Sequence, residues 1–163
     1  MKTENITFRT NVRFEDIESV TVIVRSTGFF REDEVQVARE LADEAFHKGK
    51  ESGYEFIFAE IDGRAIAYSC FGLIPCSLIS FDLYWIATHN AFRGKGIGRL
   101  VLKQTEDAII RLGGKTIYVE TSSKEQYIST RVFYEKNSYI QKVRFEDFYD
   151  IGDDKCIYIK VVS

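Results

Sequence analysis

The sequence predicts an α/β chain with one mixed, mostly antiparallel sheet, in the order β-α-α-β-β-β-α-β-α-β-β. Three observations carry this expectation. A strand-like run over residues 78–87 leads into a glycine-rich loop, Arg93-Gly94-Lys95-Gly96-Ile97-Gly98. A helical pattern follows, with Ile97, Leu100, Val101, Ala108, Ile109 and Leu112 on one face. Gly113-Gly114 stops it, and Thr116-Ile117-Tyr118-Val119 reads as the next strand. This βαβ unit requires a parallel pair. Elsewhere, Asp62-Gly63 between two alternating runs is a hairpin signal, which makes the neighbouring strands antiparallel.

Taken in order, Ile6-Thr7-Phe8-Arg9 reads as a first strand. Ile17, Val20, Thr21 and Val24 fall at helical spacing, and Gly28-Phe29-Phe30 turns the chain. From residue 31 to about 50, the apolar stripe Val35, Ala38, Leu41, Ala42, Ala45 and Phe46 predicts a second helix, ended by Ser52-Gly53. Residues 54–60 and 65–71 form the hairpin, and the only proline, Pro75, sits in the following turn. After the central βαβ unit, Thr121-Ser122-Ser123-Lys124-Glu125 looks like a serine-capped entry to a helix running to about residue 136. Residues 139–148 and 156–162 are then two strands joined by Asp150-Ile151-Gly152-Asp153-Asp154.

With 163 residues the chain is expected to be a single domain, 1–163, long enough to bury a core. Its 45% hydrophobic and 29% charged composition is that of a soluble globular protein. No apolar run of about 18 residues is present, so no membrane span is expected. The start, Met1-Lys2-Thr3-Glu4-Asn5, lacks a signal-peptide pattern, which implies a cytoplasmic location. Cys70, Cys76 and Cys156 have no metal spacing, and no metal is expected. A net charge of −3 gives no basic footprint for nucleic acid and mildly favours a cationic or amine-bearing substrate.

The glycine loop points to an anion. Glycines let backbone amides turn towards one point at the positive end of a helix, and Arg93, Lys95 and Arg99 add charge there. A dinucleotide fingerprint requires G-x-G-x-x-G directly after the strand. Arg99 and Val101 stand where the third glycine would fall, and His89-Asn90-Ala91-Phe92 separates strand from glycines. Glu120, at the end of the next strand, imitates the acidic ribose residue of that motif and keeps a nucleotide reading open. No Walker loop is present.

Arg93-Gly94-Lys95-Gly96-Ile97-Gly98 resembles the Arg/Gln-x-x-Gly-x-Gly/Ala signature of the GNAT acetyltransferase superfamily. Thr130-Arg131-Val132-Phe133-Tyr134-Glu135-Lys136-Asn137-Ser138-Tyr139 is similar to that family's A-x-x-F-Y-x-K-x-G-F helix and following strand. The resemblance implies a GNAT-like fold with helices on both faces and a central parallel pair that splays apart. It implies acetyl-CoA as co-substrate, an amine as acceptor and direct N-acetyl transfer, and it leaves a homodimer open. The pyrophosphate would lie on the amides of Arg93, Gly94, Lys95, Gly96, Ile97, Gly98 and Arg99. The pantetheine arm would bond Ile86, Ala87 and Thr88, with an amide near Ile86 or Ala87 stabilising the carbonyl oxygen. Phe133 and Thr130 join the cofactor contacts.

Tyr134 matches the family's tyrosine that protonates the departing thiolate; a phenol of pKa about 10 can do so when held within hydrogen-bond reach. Counting back from Arg93, Asp82 stands where histone-type members carry a glutamate base. Asp82 and Tyr84 share one strand face, Leu83 and Trp85 the other. The resemblance places the acceptor among Phe29, Phe30, Tyr84 and Asp147-Phe148-Tyr149-Asp150, aromatics beside carboxylates that suit a cationic amine. Two departures stand out: Tyr127 replaces an asparagine seven residues before the tyrosine, with Ser122, Ser123 or Thr130 as candidate substitutes, and Ser138 replaces a glycine. The competing reading is a non-catalytic acyl-CoA-binding or sensor domain that keeps the glycine loop without turnover.

Overall fold

In a computed structural model, residues 5–162 are described; of the start read for a signal sequence, Met1-Lys2-Thr3-Glu4 lies outside them. The elements are β1 (Thr7–Arg9), α1 (Phe14–Ser26), α2 (Glu32–Lys48), β2 (Glu55–Ile61), β3 (Arg64–Leu73), β4 (Ser80–Thr88), α3 (Ile97–Arg111), β5 (Thr116–Ser122), α4 (Ile128–Lys136), β6 (Ile140–Asp150) and β7 (Asp153–Val161). This is the order read from the sequence. The strands form a seven-stranded sheet, β1-β2-β3-β4-β5-β7-β6. β4 and β5 run parallel, whereas β1–β2, β2–β3, β5–β7 and β6–β7 pair antiparallel.

The described chain clusters into two compact units. One runs up to Gly72 and adds Trp85–Ala108; the other comprises Leu73–Tyr84 and the chain from Ile109 onward. In the first unit, α1 and α2 lay Ile17, Val20, Ile23, Val24, Val35, Ala38, Ala42 and Ala45 on Phe56, Phe58, Tyr68 and Cys70 of β2 and β3. On the other face of β3, the Ser69 hydroxyl bonds that of Thr105 in α3 at 2.6 Å. With both faces covered, β2 loses polar alternation: Phe56 through Glu60 are all buried.

The helical stripe read for α3 is shifted. Ile97, Val101, Ala108 and Ile109 are buried as expected, but Leu100 and Leu112 are exposed, and Leu102 and Thr105 are buried in their place. A threonine fits the core because its hydroxyl also bonds the Val101 carbonyl at 2.8 Å, so no polar atom is stranded.

Beside this core lies an ion cluster. Arg9 of β1 grips Asp16 of α1 through two nitrogens at 2.7 and 2.8 Å, bonds Glu60 of β2 at 2.7 Å through Nε, and stacks on the Phe58 ring at 4.6 Å. Asp16 also accepts the Arg13 amide at 2.6 Å, which caps α1. One guanidinium therefore ties the first strand and first helix to the sheet.

In the second unit, β5 pairs with β7 from Thr116↔Val161 to Ser122↔Lys155. The serine-capped helix entry expected at residues 121–125 is not formed. Thr121 and Ser122 stay in β5, and the Ser122 hydroxyl donates to Asp153. A single turn, Glu125–Tyr127, then precedes α4, which starts without a side-chain cap. At the start of the parallel pair, chain packing leaves no room for a side chain on Gly114: a Cβ there would lie 2.4 Å from Ile109 Cγ2 and 2.8 Å from the Phe81 ring.

Candidate active site

The donor-side candidates from Ile86 to Arg99 lie in the first unit, whereas Thr130 and Phe133 lie on α4 in the second. Ile86, Ala87 and Thr88 end β4, and the His89 amide bonds back to the Ile66 carbonyl at 2.8 Å. His89 then caps a one-turn helix, Asn90–Phe92, its Nδ1 accepting the Ala91 amide at 3.1 Å. The Asn90 amide donates to the Ser26 hydroxyl at 3.0 Å, which fastens this turn to the end of α1. The sequence did not reveal that turn, because its cap is a histidine and its anchor is sixty-four residues away.

Beyond it, Gly94 and Gly96 adopt φ of +76° and +77°, the left-handed region that glycine enters without strain. The first intrahelical bond of α3 runs from the Leu100 amide to the Gly96 carbonyl, so the amides of Ile97, Gly98 and Arg99 precede the helical ladder. They stand at the positive end of a 15-residue helix, a ready anion site. The side chain of Ile97 is buried, so only its backbone is available there. Arg93 and Lys95 are exposed and rest on aromatic rings, Arg93 over Phe29 at 5.1 Å and Lys95 over Phe92 at 5.5 Å; Arg99 is exposed on the first turn. Phe30 is half-buried and packs edge-on against Trp85 at 4.8 Å, on the rim of the α1–α2 core.

The second unit holds the acid and base candidates. The β4–β5 pairing joins Ser80↔Thr116, Phe81↔Ile117 and Asp82↔Tyr118. Directly paired residues share a sheet face, so Asp82 lies with Tyr118 and, two residues on, with Glu120. The β5–β7 register adds Ile157 and Lys155 to that face and puts Val119, Thr121, Cys156 and Tyr158 on the other. Tyr134 belongs to the second set: its ring sits 6.1 Å from Tyr158, 5.6 Å from Tyr139 and 5.5 Å from Phe133. Acid and base candidates thus occupy opposite faces of the β5–β7 layer.

Environment sets their protonation. Tyr134 is 4% exposed, and burial lifts its phenol well above the ordinary value, so it holds its proton at neutral pH. Asp82 is half-buried; burial chiefly, then the Glu120 charge, raises its pKa, while Lys155 opposes the rise. A carboxyl with a raised folded pKa contributes stability below its ordinary pKa and loses it as pH rises through the folded one. Asp82→Asn is therefore expected to raise Tm at neutral pH, with the gain vanishing towards about pH 4 in melts across that range.

The end of α4 explains the Ser138 departure. Ser138 sits at φ +71°, where glycine is strain-free, and the Tyr139 amide bonds the Tyr134 carbonyl at 3.0 Å. This closure folds Tyr139 back onto the Tyr134 ring. Of the residues considered in place of the missing asparagine, Ser122 is engaged with Asp153 and Ser123 accepts the Asp154 amide at 2.8 Å. Thr130 and Phe133 are half-buried on α4, and Tyr127 is half-buried in the turn before it.

Among the acceptor candidates, Tyr84 is exposed on β4. Tyr149 lies where β6 bulges: between Phe145↔Lys155 and Asp150↔Asp153, residues 146–149 oppose Asp154 alone. Asp147, at φ +53°, holds the bulge by accepting the Gly152 amide at 2.7 Å and donating its own amide to Asp154 at 2.9 Å. Burial first, then Glu120, pushes the Tyr149 phenol up to about 12. Sequence reasoning passed over Lys155, whose Nζ lies 3.1 Å from Glu120 and 4.2 Å from the Phe148 ring centre. Only the strand register and the bulge bring these three together.

Comparison with known proteins settles the family. The model of the acetyltransferase (GNAT) domain matches residues 52–141, more than half of the chain. The chain belongs to the GNAT acetyltransferase family. A structure from Desulfovibrio desulfuricans, assigned to the GNAT family, is 37% identical over 98% of this chain and 100% of that one, with a TM-score of 0.96. More distant GNAT-fold structures include the PaiA N-acetyltransferase of Thermoplasma acidophilum in complex with coenzyme A, at 19% identity over 97% and 99% of the two chains and TM-score 0.75. Another is YncA of Salmonella typhimurium with acetyl-CoA, at 16% identity over 98% and 95%, TM-score 0.76. None of the curated proteins compared matches this chain. Among the described residues, no helix is long and apolar enough to cross a membrane, and no group of acidic, histidine or cysteine side chains could hold a metal.

Proposed function

We propose that this GNAT member, acting as a single domain over residues 1–163, transfers the acetyl group of acetyl-CoA to a primary amine within a ternary complex. The observation that carries the reading is the turn at Gly94 and Gly96, which ends in free amides at the α3 N-terminus just beyond β4. Those amides, with Arg93, Lys95 and Arg99 nearby, would hold the pyrophosphate. Ile86, Ala87 and Thr88 would bond the pantetheine arm. The complexes of more distant GNAT structures with coenzyme A and acetyl-CoA support this choice of donor.

The proposed chemistry uses both faces. The amine nitrogen attacks the thioester carbonyl with its lone pair, forming the C–N bond. The oxygen gains negative charge, which an amide near Ile86 or Ala87 stabilises. Asp82, through water, takes the proton lost by nitrogen. The C–S bond breaks, and Tyr134, kept protonated by burial, returns a proton to the thiolate of CoA. An acid and a base on opposite faces suit a carbonyl that is attacked from one side and releases thiol towards the other. Phe29, Phe30, Tyr84 and Tyr149 are the proposed acceptor contacts, and the reading carries a cytoplasmic location with it.

The test is an acceptor screen of amines, polyamines and peptides, following CoA release together with the mass of the N-acetyl product. The reading expects both signals with at least one amine, and initial-rate lines that intersect, as a ternary complex requires. Acetyl-CoA binding with no product from any amine would favour the non-catalytic sensor. Gly96→Val tests the loop: forcing a β-branched residue to φ +77° costs about 1–2 kcal/mol. Acetyl-CoA affinity, read by calorimetry, is expected to fall about tenfold or more as the turn shifts.

A further inference from the structure

In the second unit the Lys155 ammonium is held by both a carboxylate and an aromatic face, Glu120 at 3.1 Å and the Phe148 ring at 4.2 Å. Its side chain is 15% exposed, against 50% for Glu120, and its ammonium lies against the Phe148 ring of the β6 bulge. Asp82 feels its charge, and Tyr149 feels that of Glu120. A carboxylate plus an aromatic ring is the chemistry that recognises a primary ammonium. Here the chain's own ammonium already fills it.

Resting on the acetyltransferase reading, we infer that Lys155 occupies the cation subsite of the acceptor site and sets its specificity. A simple alkyl diamine finds that subsite taken by a like charge, which disfavours it. An acceptor whose amine is accompanied by a carboxylate pairs with the Lys155 ammonium and leaves it in place. The substrate class is therefore an amine bearing an anionic group, with its nitrogen towards Asp82. Lys155 acts by charge and by occupancy; the transfer itself runs through the other groups.

The test compares lysine with 1,5-diaminopentane, which differ only in the carboxylate, as ligands in calorimetry with and without CoA and as acceptors of acetyl groups. Wild type is expected to favour lysine. Lys155→Ala, which vacates the subsite, is expected to bind the diamine about tenfold more tightly than wild type and to reverse the preference. Lys155→Arg keeps the charge and should gain nothing. A wild-type preference for the diamine, or no gain in Lys155→Ala with an unchanged fold by circular dichroism, overturns the inference. A binding shift without acetylation of either compound leaves the binding role of Lys155 standing, and the acetyltransferase reading then falls only if the wider amine screen also gives no product.

Discussion

Tyr134→Phe is expected to lower turnover by about 10²–10⁴-fold, the range for loss of a positioned general acid, while acetyl-CoA affinity changes little. The ring is what packs: it lies against Phe133, Tyr139 and Tyr158, and phenylalanine retains all three contacts. Only the hydroxyl is removed, so any activity loss reports proton delivery rather than folding. The phenol suits the proposed role because a tyrosine carries its proton at neutral pH, and burial among aromatic rings reinforces this. Stopped-flow or single-turnover measurement of CoA release checks this, since slow product release would hide a chemical defect in steady-state rates. A variant that turns over at wild-type rate would return Tyr134 to the status of a buried aromatic.

The largest expected effect on stability is at Arg9. Arg9→Ala leaves Asp16, 2% exposed, and Glu60, 6% exposed, without the guanidinium that both contact. Breaking a buried pair by removing one partner costs about 3–5 kcal/mol. In a domain of this size that corresponds to a Tm decrease of roughly 6–20 °C in a thermal melt. Asp16 loses most, because the same carboxylate caps α1 through the Arg13 amide. Adding Asp16→Asn and Glu60→Gln to Arg9→Ala is expected to recover part of the loss by neutralising the stranded charges, and calorimetric melts of the three proteins check both steps. The groups that Arg9 is seen to contact, at Asn11, Asp16, Phe58 and Glu60, lie outside the glycine loop, so acetyl-CoA affinity at temperatures well below the melt should stay close to wild type.

The element order was legible because each element carries a local signal: helical stripes at Val35, Ala38 and Ala42, a hairpin turn at Asp62-Gly63, and Gly113-Gly114 after α3. Edges and phases were less so. Leu100 looks like core and is exposed, whereas Thr105 looks like surface and is buried, because a hydroxyl bond on β3 decides the matter from outside the helix. Ser122 and Ser123 read as caps but serve β7, since strand pairing with Lys155 competes for that segment and prevails. The glycine loop and the Tyr134 helix were visible as motifs. The grouping of Lys155, Glu120 and Phe148 was not, because it depends on the β5–β7 register and on a four-residue bulge that no local pattern announces. Glu120 was noticed as a mimic of a ribose-binding acid, not as the partner of Lys155. Period-2 alternation could have placed it on the face away from Ile117 and Val119, but not beside a lysine thirty-five residues on.

The central claim is that the turn at Gly94 and Gly96 is built for the pyrophosphate of acetyl-CoA. Calorimetric titration of the purified protein with acetyl-CoA, with NAD and ATP as controls, tests it most directly. The account predicts micromolar binding of acetyl-CoA and none of comparable strength for either nucleotide. Folded protein that fails to bind acetyl-CoA, or that binds NAD or ATP in its place, would contradict it, and the roles proposed for Tyr134, Asp82 and the α3 amides would fall together.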